Sequence, residues 1–312
     1  MKLKNNNKVL STILRILIAC VFIASAILKY IDIEVFDIYI YEHNLFNFAV
    51  SSTLTRLLIA AEFVLGILLL TNTLIRFTYI VTYIFLIFFT IYLLLQPYLF
   101  DVQLDNCCCF GNAIVLNHTQ SIIKNIVLML LLWGVNIKFY KRRKYELPVF
   151  IVLSVVSVAA FMLLNSPDYL YKKIYHSDIR INEEVYQNSL KEINKGSCFQ
   201  IGNQLVCMYS HSCRYCKKSA VKINAIMKKN NIKHEQVKCI FWDSTDSTDI
   251  LNFFSENEIE VLEYMQIPSL EFLQITHGIM PLILFSENGK IVKSVNYAEL
   301  TEKDIVSFLK VE

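Results

Sequence analysis

Five apolar stretches, at about 9–29, 54–74, 77–97, 119–138 and 147–165, decide most of what this 312-residue chain can become. A helix needs roughly 20 mostly apolar residues to cross the hydrocarbon core of a bilayer, and each stretch meets or approaches that length. Inside lipid the backbone polar groups must be satisfied within the segment, so such stretches fold as helices. The chain is expected to begin as a membrane all-α helical bundle. Only 18 % of its residues are charged, against about a quarter in soluble proteins. The deficit lies before about Asn165. From Ser166 onward the composition is that of an ordinary globular domain, long enough for one core. The expected organisation is a four-helix domain over 1–146, a fifth transmembrane helix over 147–165 and a soluble domain over 166–312. The first stretch is longer than a signal core of about 7–15 residues and lacks a small-x-small cleavage site.

Lysine and arginine in short loops set the orientation. Lys2, Lys4 and Lys8 precede the first stretch, Arg76 precedes the third, and Lys138, Lys141, Arg142, Arg143 and Lys144 follow the fourth. The 30–55 and 98–118 loops contain no Lys or Arg. Every loop agrees with a cytoplasmic N-terminus, five crossings of a bacterial inner membrane and a periplasmic C-terminal domain. Lipid is then a partner. The basic residues border the membrane and form no patch for nucleic acid. Cys107, Cys108, Cys109, Cys213 and Cys216 share one oxidising compartment, where cysteine redox chemistry is at home. Phe36, Tyr39, Tyr41, Phe46 and Phe48 in the first outer loop are expected as an interfacial aromatic belt. Lys29, Arg56 and Lys124 are expected to snorkel at outer helix ends.

In the soluble part, 204–210 reads as a buried strand, followed by Cys213-Arg214-Tyr215-Cys216 and a helical run over 217–229. This order places Cys213 at a helix N-terminus, where free N–H groups favour a thiolate, with Arg214 adding positive charge. Cys216 lies one turn in, placed to resolve a mixed disulfide. A strand is expected at 237–242 and a helix at 246–257. A hairpin from Met280 to Val295 should turn at Asn288-Gly289. A last helix over 301–310 should be capped by Thr301 with Asp304. The other readings of Cys213 and Cys216 are an inert bridge or half of a zinc site, with His211 the only nearby further ligand and Cys239 solitary. Cys198 and Cys207 flank Gly202-Asn203, and read either as a cross-strand disulfide or as buried thiols.

The strand, CxxC, helix order and the later Pro281 make the C-terminal half resemble an α/β thioredoxin-like domain. The resemblance implies that Pro281 is cis and shapes the peptide-binding surface beside the CxxC. Two positions depart from the pattern: Ser212 stands where many relatives have Trp, and Cys207 where many have a buried acid. They favour a dedicated client over general disulfide reduction.

The loop between the third and fourth stretches reads Asn106-Cys107-Cys108-Cys109-Phe110-Gly111. With Ala61-Glu62, Gly66 and Ile123-Lys124-Asn125, it makes roughly residues 9–140 resemble the DoxX/MauE group, whose MauE branch carries Cys-x-Cys-Phe-Gly here. That resemblance implies a four-helix core working with a thioredoxin-like partner in maturing a disulfide-rich dehydrogenase. A Cys107–Cys109 disulfide would be strained and quick to exchange; lipidation or copper binding by the cluster are the alternatives.

The first functional expectation is a membrane-bound thiol–disulfide oxidoreductase. Cys213 attacks or is attacked, Cys216 resolves, and Cys107 and Cys109 exchange with that pair. The client is an extracytoplasmic protein with cysteines. Analogy with other four-helix thiol oxidases adds a quinone as cofactor. Glu62, an ionisable residue at mid-span, is the candidate for its chemistry; it otherwise pairs with Arg15 or ties two helices together. Cys20, the one cysteine inside the membrane, argues against a thiol relay across it. A non-redox scaffold or metallochaperone holding copper or zinc is the second reading. A subunit of a sulfur- or thiosulfate-linked quinone reductase is the third.

Overall fold

The computed structural model describes residues 2–99, 116–135, 144–175, 179–192, 199 and 201–310. Cys107, Cys108, Cys109 and Cys198 lie outside the described residues, and so do the expectations placed on them. The chain divides into two compact units, one holding Met1–Phe46 and Val50–Ser166, the other Asn47–Ala49 and Pro167–Glu312.

The first unit contains α1 (Lys2–Ile31), α2 (Ile33–Glu42), α3 (Phe48–Thr71), α4 (Ile75–Leu99), α5 (His118–Trp133) and α6 (Glu146–Leu164). Among the described residues, four helices are long and apolar enough to cross a membrane: Lys8–Ile31, Phe48–Thr71, Ile75–Tyr98 and Glu146–Leu164. The chain is a multi-pass membrane protein. The stretch expected at 119–138 also forms a helix, α5, but its 16 residues reach about 24 Å at 1.5 Å each, short of the roughly 30 Å core. Its start is fixed by a capping box, in which Asn117 accepts from the Gln120 N–H and Gln120 returns the bond. Ile18, Phe22, Leu65, Leu69, Leu86, Leu128 and Leu132 meet in a core between α1, α3, α4 and α5.

The first outer loop departs from expectation. Residues Ile33–Glu42 form α2, and Phe36, Tyr39 and Tyr41 are buried in the unit rather than set in an interfacial belt; Phe46 alone of this group is exposed. Ile33, Phe36 and Asp37 repeat at helical spacing, which brings them to one face. That face carries Asp37 to Arg56, whose Nη1 donates to both carboxylate oxygens at 2.7 Å. Arg56 and Lys29 therefore do not snorkel. Both are buried in ion pairs, Arg56 with Asp37 and Lys29 with Glu62.

The second unit contains α7 (Asp168–Ile174), α8 (Glu183–Glu192), β1 (Asn203–Met208), α9 (Arg214–Asn230), β2 (Val237–Trp242), α10 (Ser247–Ser255), β3 (Glu263–Ile267), α11 (Ser269–Thr276), β4 (Leu282–Glu287), β5 (Lys290–Asn296) and α12 (Glu302–Leu309). The sheet order is β3-β2-β1-β4-β5. The first three strands are mutually parallel, and β4 and β5 run antiparallel to their neighbours. Side chains alternate between the faces. Val206, Met208, Ile240, Leu282 and Leu284 pack with Tyr186 and Leu190 of α8 and Phe272 and Ile275 of α11. On the other face Tyr209 and Phe241 meet Phe253 of α10, and the Tyr209 hydroxyl bonds to Ser219 of α9 at 3.1 Å. The hairpin turns at Asn288 and Gly289, both with positive φ, as the turn requires. Thr301 caps α12 by accepting from the Asp304 N–H at 3.2 Å.

Candidate functional site

Strand β1 ends at Met208, and the chain turns through Ser210 before Cys213 starts α9 as its N-cap. The Cys216 N–H donates to Cys213 Sγ at 3.4 Å. Unmet N–H groups at a helix start are ready donors to an electron-rich atom, and here one is aimed at the first sulfur. Cys213 is half-buried, whereas Cys216 is fully buried. The Ser210 N–H donates to Cys216 Sγ at 3.5 Å. Burial pushes the Cys216 thiol well above its ordinary range; the Ser210 N–H opposes this, while the nearby Cys213 and Cys207 sulfurs add to it.

The segment before β4 faces this turn. Cys213 Sγ lies 4.0 Å from the Met280 carbonyl oxygen, and the Met280–Pro281 peptide is cis. Residues 68 positions apart, Cys213 and Pro281, are thus brought to one edge by the antiparallel pairing of β1 with β4. Tyr215, Leu270 and Ile279 are exposed apolar side chains on the same unit. His211 is only loosely held, its Nε2 3.9 Å from an Asp249 carboxylate oxygen. Among the described residues no group of three or more His, Cys, Asp or Glu forms a metal-binding cluster.

Sequence reasoning took Cys239 as solitary, and the structure corrects this. Parallel pairing of β1 with β2 sets Cys239 directly opposite Cys207. Both are buried and unbridged. Their separation in sequence hid the pairing; it becomes visible once β1 and β2 are aligned by their apolar runs.

In the membrane unit, Glu62 pairs with Lys29, not with Arg15. Ser25 donates to Glu62 at 3.0 Å and accepts from Lys29 at 3.2 Å. Arg15 instead donates to the Leu69 and Leu70 carbonyls, which end α3. The pair borders a cavity of about 50 Å³ walled by Phe22, Phe36, Phe85 and Phe89, with Lys124 and Asn125 at its side. Beside it runs a hydrogen-bonded chain: His43 to the Tyr92 hydroxyl at 2.6 Å, and Tyr92 to the Tyr39 hydroxyl at 3.0 Å.

Residues 7–137 match the family described as methylamine utilisation protein MauE. Protein TlpB of Flavobacterium psychrophilum is 25 % identical over 296 residues, covering 79 % of this chain and 80 % of that protein. No solved structure matches the chain. The match to MauE, the apolar helices and the mixed five-stranded sheet together make this a multi-pass membrane protein built of a MauE-like domain followed by a thioredoxin-like domain.

Proposed function

We propose that the protein is a membrane-anchored thiol–disulfide oxidoreductase for extracytoplasmic clients, set in a bacterial inner membrane with its C-terminal domain in the periplasm. The observation that carries this reading is the pairing of a half-exposed Cys213 sulfur, beside the Met280–Pro281 segment, with a buried Cys216 one helical turn behind it. The unequal access supports different roles for the two sulfurs. A client thiolate attacks Cys213 Sγ of the Cys213–Cys216 disulfide, and Cys216 leaves with the bonding pair and takes up a proton. A second client thiol then attacks the client's own sulfur, and Cys213 leaves. The client gains a disulfide and the domain two thiols; the reverse sequence reduces a client disulfide. A Cys107–Cys109 disulfide restores the pair by the same exchange and is itself reduced to two thiols. Pro281 and the Met280 carbonyl shape the surface that receives the client chain. The exchange balances between thiols and disulfides alone, and no step passes through a quinone.

The burial of Cys216 also selects the trapping variant. With Cys213 replaced by Ser, the remaining sulfur is out of a client's reach, so a trap at Cys216, natural to expect from the sequence, is not favoured. Cys216→Ala leaves the outer sulfur in place with nothing behind it to resolve an adduct. Cells expressing that variant, quenched in acid and alkylated, should yield client adducts sensitive to reductant. Recovery of no more adduct than from a Cys213→Ala control would overturn the proposal.

A further inference from the structure

Four sulfurs run from the surface of the thioredoxin-like domain into its core. Cys213 is half-buried at the start of α9. Cys216 lies behind it, with no exposed surface. Cys207 and Cys239 are 1 % and 0 % exposed, in register on β1 and β2. All three inner sulfurs belong to one layer. Cys207 shares a sheet face with Tyr209, two residues on, and Tyr209 reaches α9 through Ser219. Cys216 feels the charge of Cys207, and so does Cys239, its partner in register across the sheet.

We infer that Cys207 and Cys239 are a second dithiol–disulfide couple, exchanging internally with Cys213 and Cys216. The inference rests on the redox reading of the outer pair. Neighbouring strands lie about 4.7–4.9 Å apart, so residues in register have Cα atoms near that spacing. Disulfides usually span about 4.4–6.8 Å between Cα atoms, a range that includes this spacing.

The exchange balances within the domain. Cys207 attacks Cys216 of the outer disulfide. The Cys213–Cys216 bond breaks, and Cys213 leaves and receives the proton Cys207 gave up. Cys239 then attacks Cys207, the Cys207–Cys216 bond breaks, and Cys216 takes the proton from Cys239. One disulfide is reduced and one formed, with no outside oxidant. Burial pushes Cys207 up to about 12, with the Tyr209 hydrogen bond opposing, and holds Cys239 well above its ordinary range. The thiolate is therefore scarce, and the inner exchange runs slowly beside client exchange. Free buried cysteine otherwise serves as a small apolar filler; the two roles differ in whether the inner pair ever bridges.

The test uses the full chain in detergent, sampled at fixed early times, before equilibrium, across a series of glutathione redox buffers. Samples are quenched in acid, unfolded, alkylated and mapped by peptide mass spectrometry. The expected result is a Cys207–Cys239 linked peptide in buffers that also oxidise Cys213–Cys216, formed at least tenfold less in Cys216→Ala. Full alkylation of Cys207 and Cys239 wherever Cys213–Cys216 is bridged would overturn the inference and leave the proposed function standing. Bridging of Cys207 to Cys198, or equal inner bridging without Cys216, would overturn it too. Absence of the Cys213–Cys216 bridge in every buffer would remove the proposed function, and this inference with it.

Discussion

Replacing Glu62 by Leu, Lys29 by Met, and both together, tests whether the buried pair acts as one unit. The Lys29 and Glu62 side chains are 6 % and 9 % exposed, and they share Ser25 as a hydrogen-bonding neighbour. Removing either partner strands a buried charge, at a cost of about 3–5 kcal/mol. Removing both exchanges the pair for apolar groups of similar volume, a change often neutral or favourable by about 1–4 kcal/mol. The Ser25 hydroxyl then loses charged partners, which costs about 1–3 kcal/mol. If the singles were independent, the double would lose roughly 6–10 kcal/mol. We expect it to lose about 3 kcal/mol or less, a coupling of at least about 3 kcal/mol. Helical circular dichroism during thermal unfolding in one detergent, with all four proteins side by side, measures this. A double variant as destabilised as the sum of the singles would refute the reasoning.

Gly66 on α3 has no room for a side chain. A Cβ there would come within 2.6 Å of an Ile23 side-chain carbon and 3.1–3.2 Å of the α1 backbone. Gly66→Val should destabilise the membrane unit by about 1–3 kcal/mol, read from the same unfolding signal; an unchanged midpoint would contradict the close crossing. In the soluble unit, burial raises the Asp304 carboxyl, but hydrogen bonds from Lys172, Thr301 and Lys293 outweigh it and leave it at about 2. A carboxyl depressed by folding contributes fully above its unfolded value near 3.8. The contribution, on the order of 2 kcal/mol, is lost as pH falls towards 2. Asp304→Asn should flatten the decline of stability between pH 4 and 2, followed by near-ultraviolet dichroism; a slope equal to wild type would remove Asp304 from the account. Thr301→Ala, which deletes the α12 cap, should cost about 1 kcal/mol in the same measurement.

Features set by neighbouring residues were legible in the sequence. The apolar stretches, the Cys213–Cys216 turn, the Asn288-Gly289 hairpin and the Thr301 cap all depend on a few consecutive positions. β2 was read at its observed bounds because Val237–Trp242 is apolar but for Lys238 and flanked by polar turns. β3 and α11 were missed. Glu263–Ile267 alternates weakly at the sheet edge, where one face is open, and the eight residues of α11 are too few to show a helical period. α2 was masked by its acids, because Asp37 looks solvent-seeking until Arg56 is found opposite it. The pairing of Lys29 with Glu62, and of Cys207 with Cys239, depends on which helices and strands become neighbours. Of the candidate site, the residue types were readable from the chain, while the unequal burial of the two CxxC sulfurs emerged only from packing.

In the proposed exchange, that inequality would bear on which thiols compete for the oxidised domain. A small soluble thiol can strike only the Cys213 end of the bridge, and doing so must expel Cys216. Burial makes Cys216 a poor leaving group, since a sulfur that holds its proton tightly departs slowly. Ambient thiols should therefore drain the bridge sluggishly even where they are abundant. In the proposed exchange a protein client would gain what they lack: contacts along the Met280–Pro281 edge that hold its sulfur in line while Cys216 is slow to go. Discrimination between a client and the surrounding thiol pool then lies in dwell time at the surface, not in any difference between the sulfurs themselves.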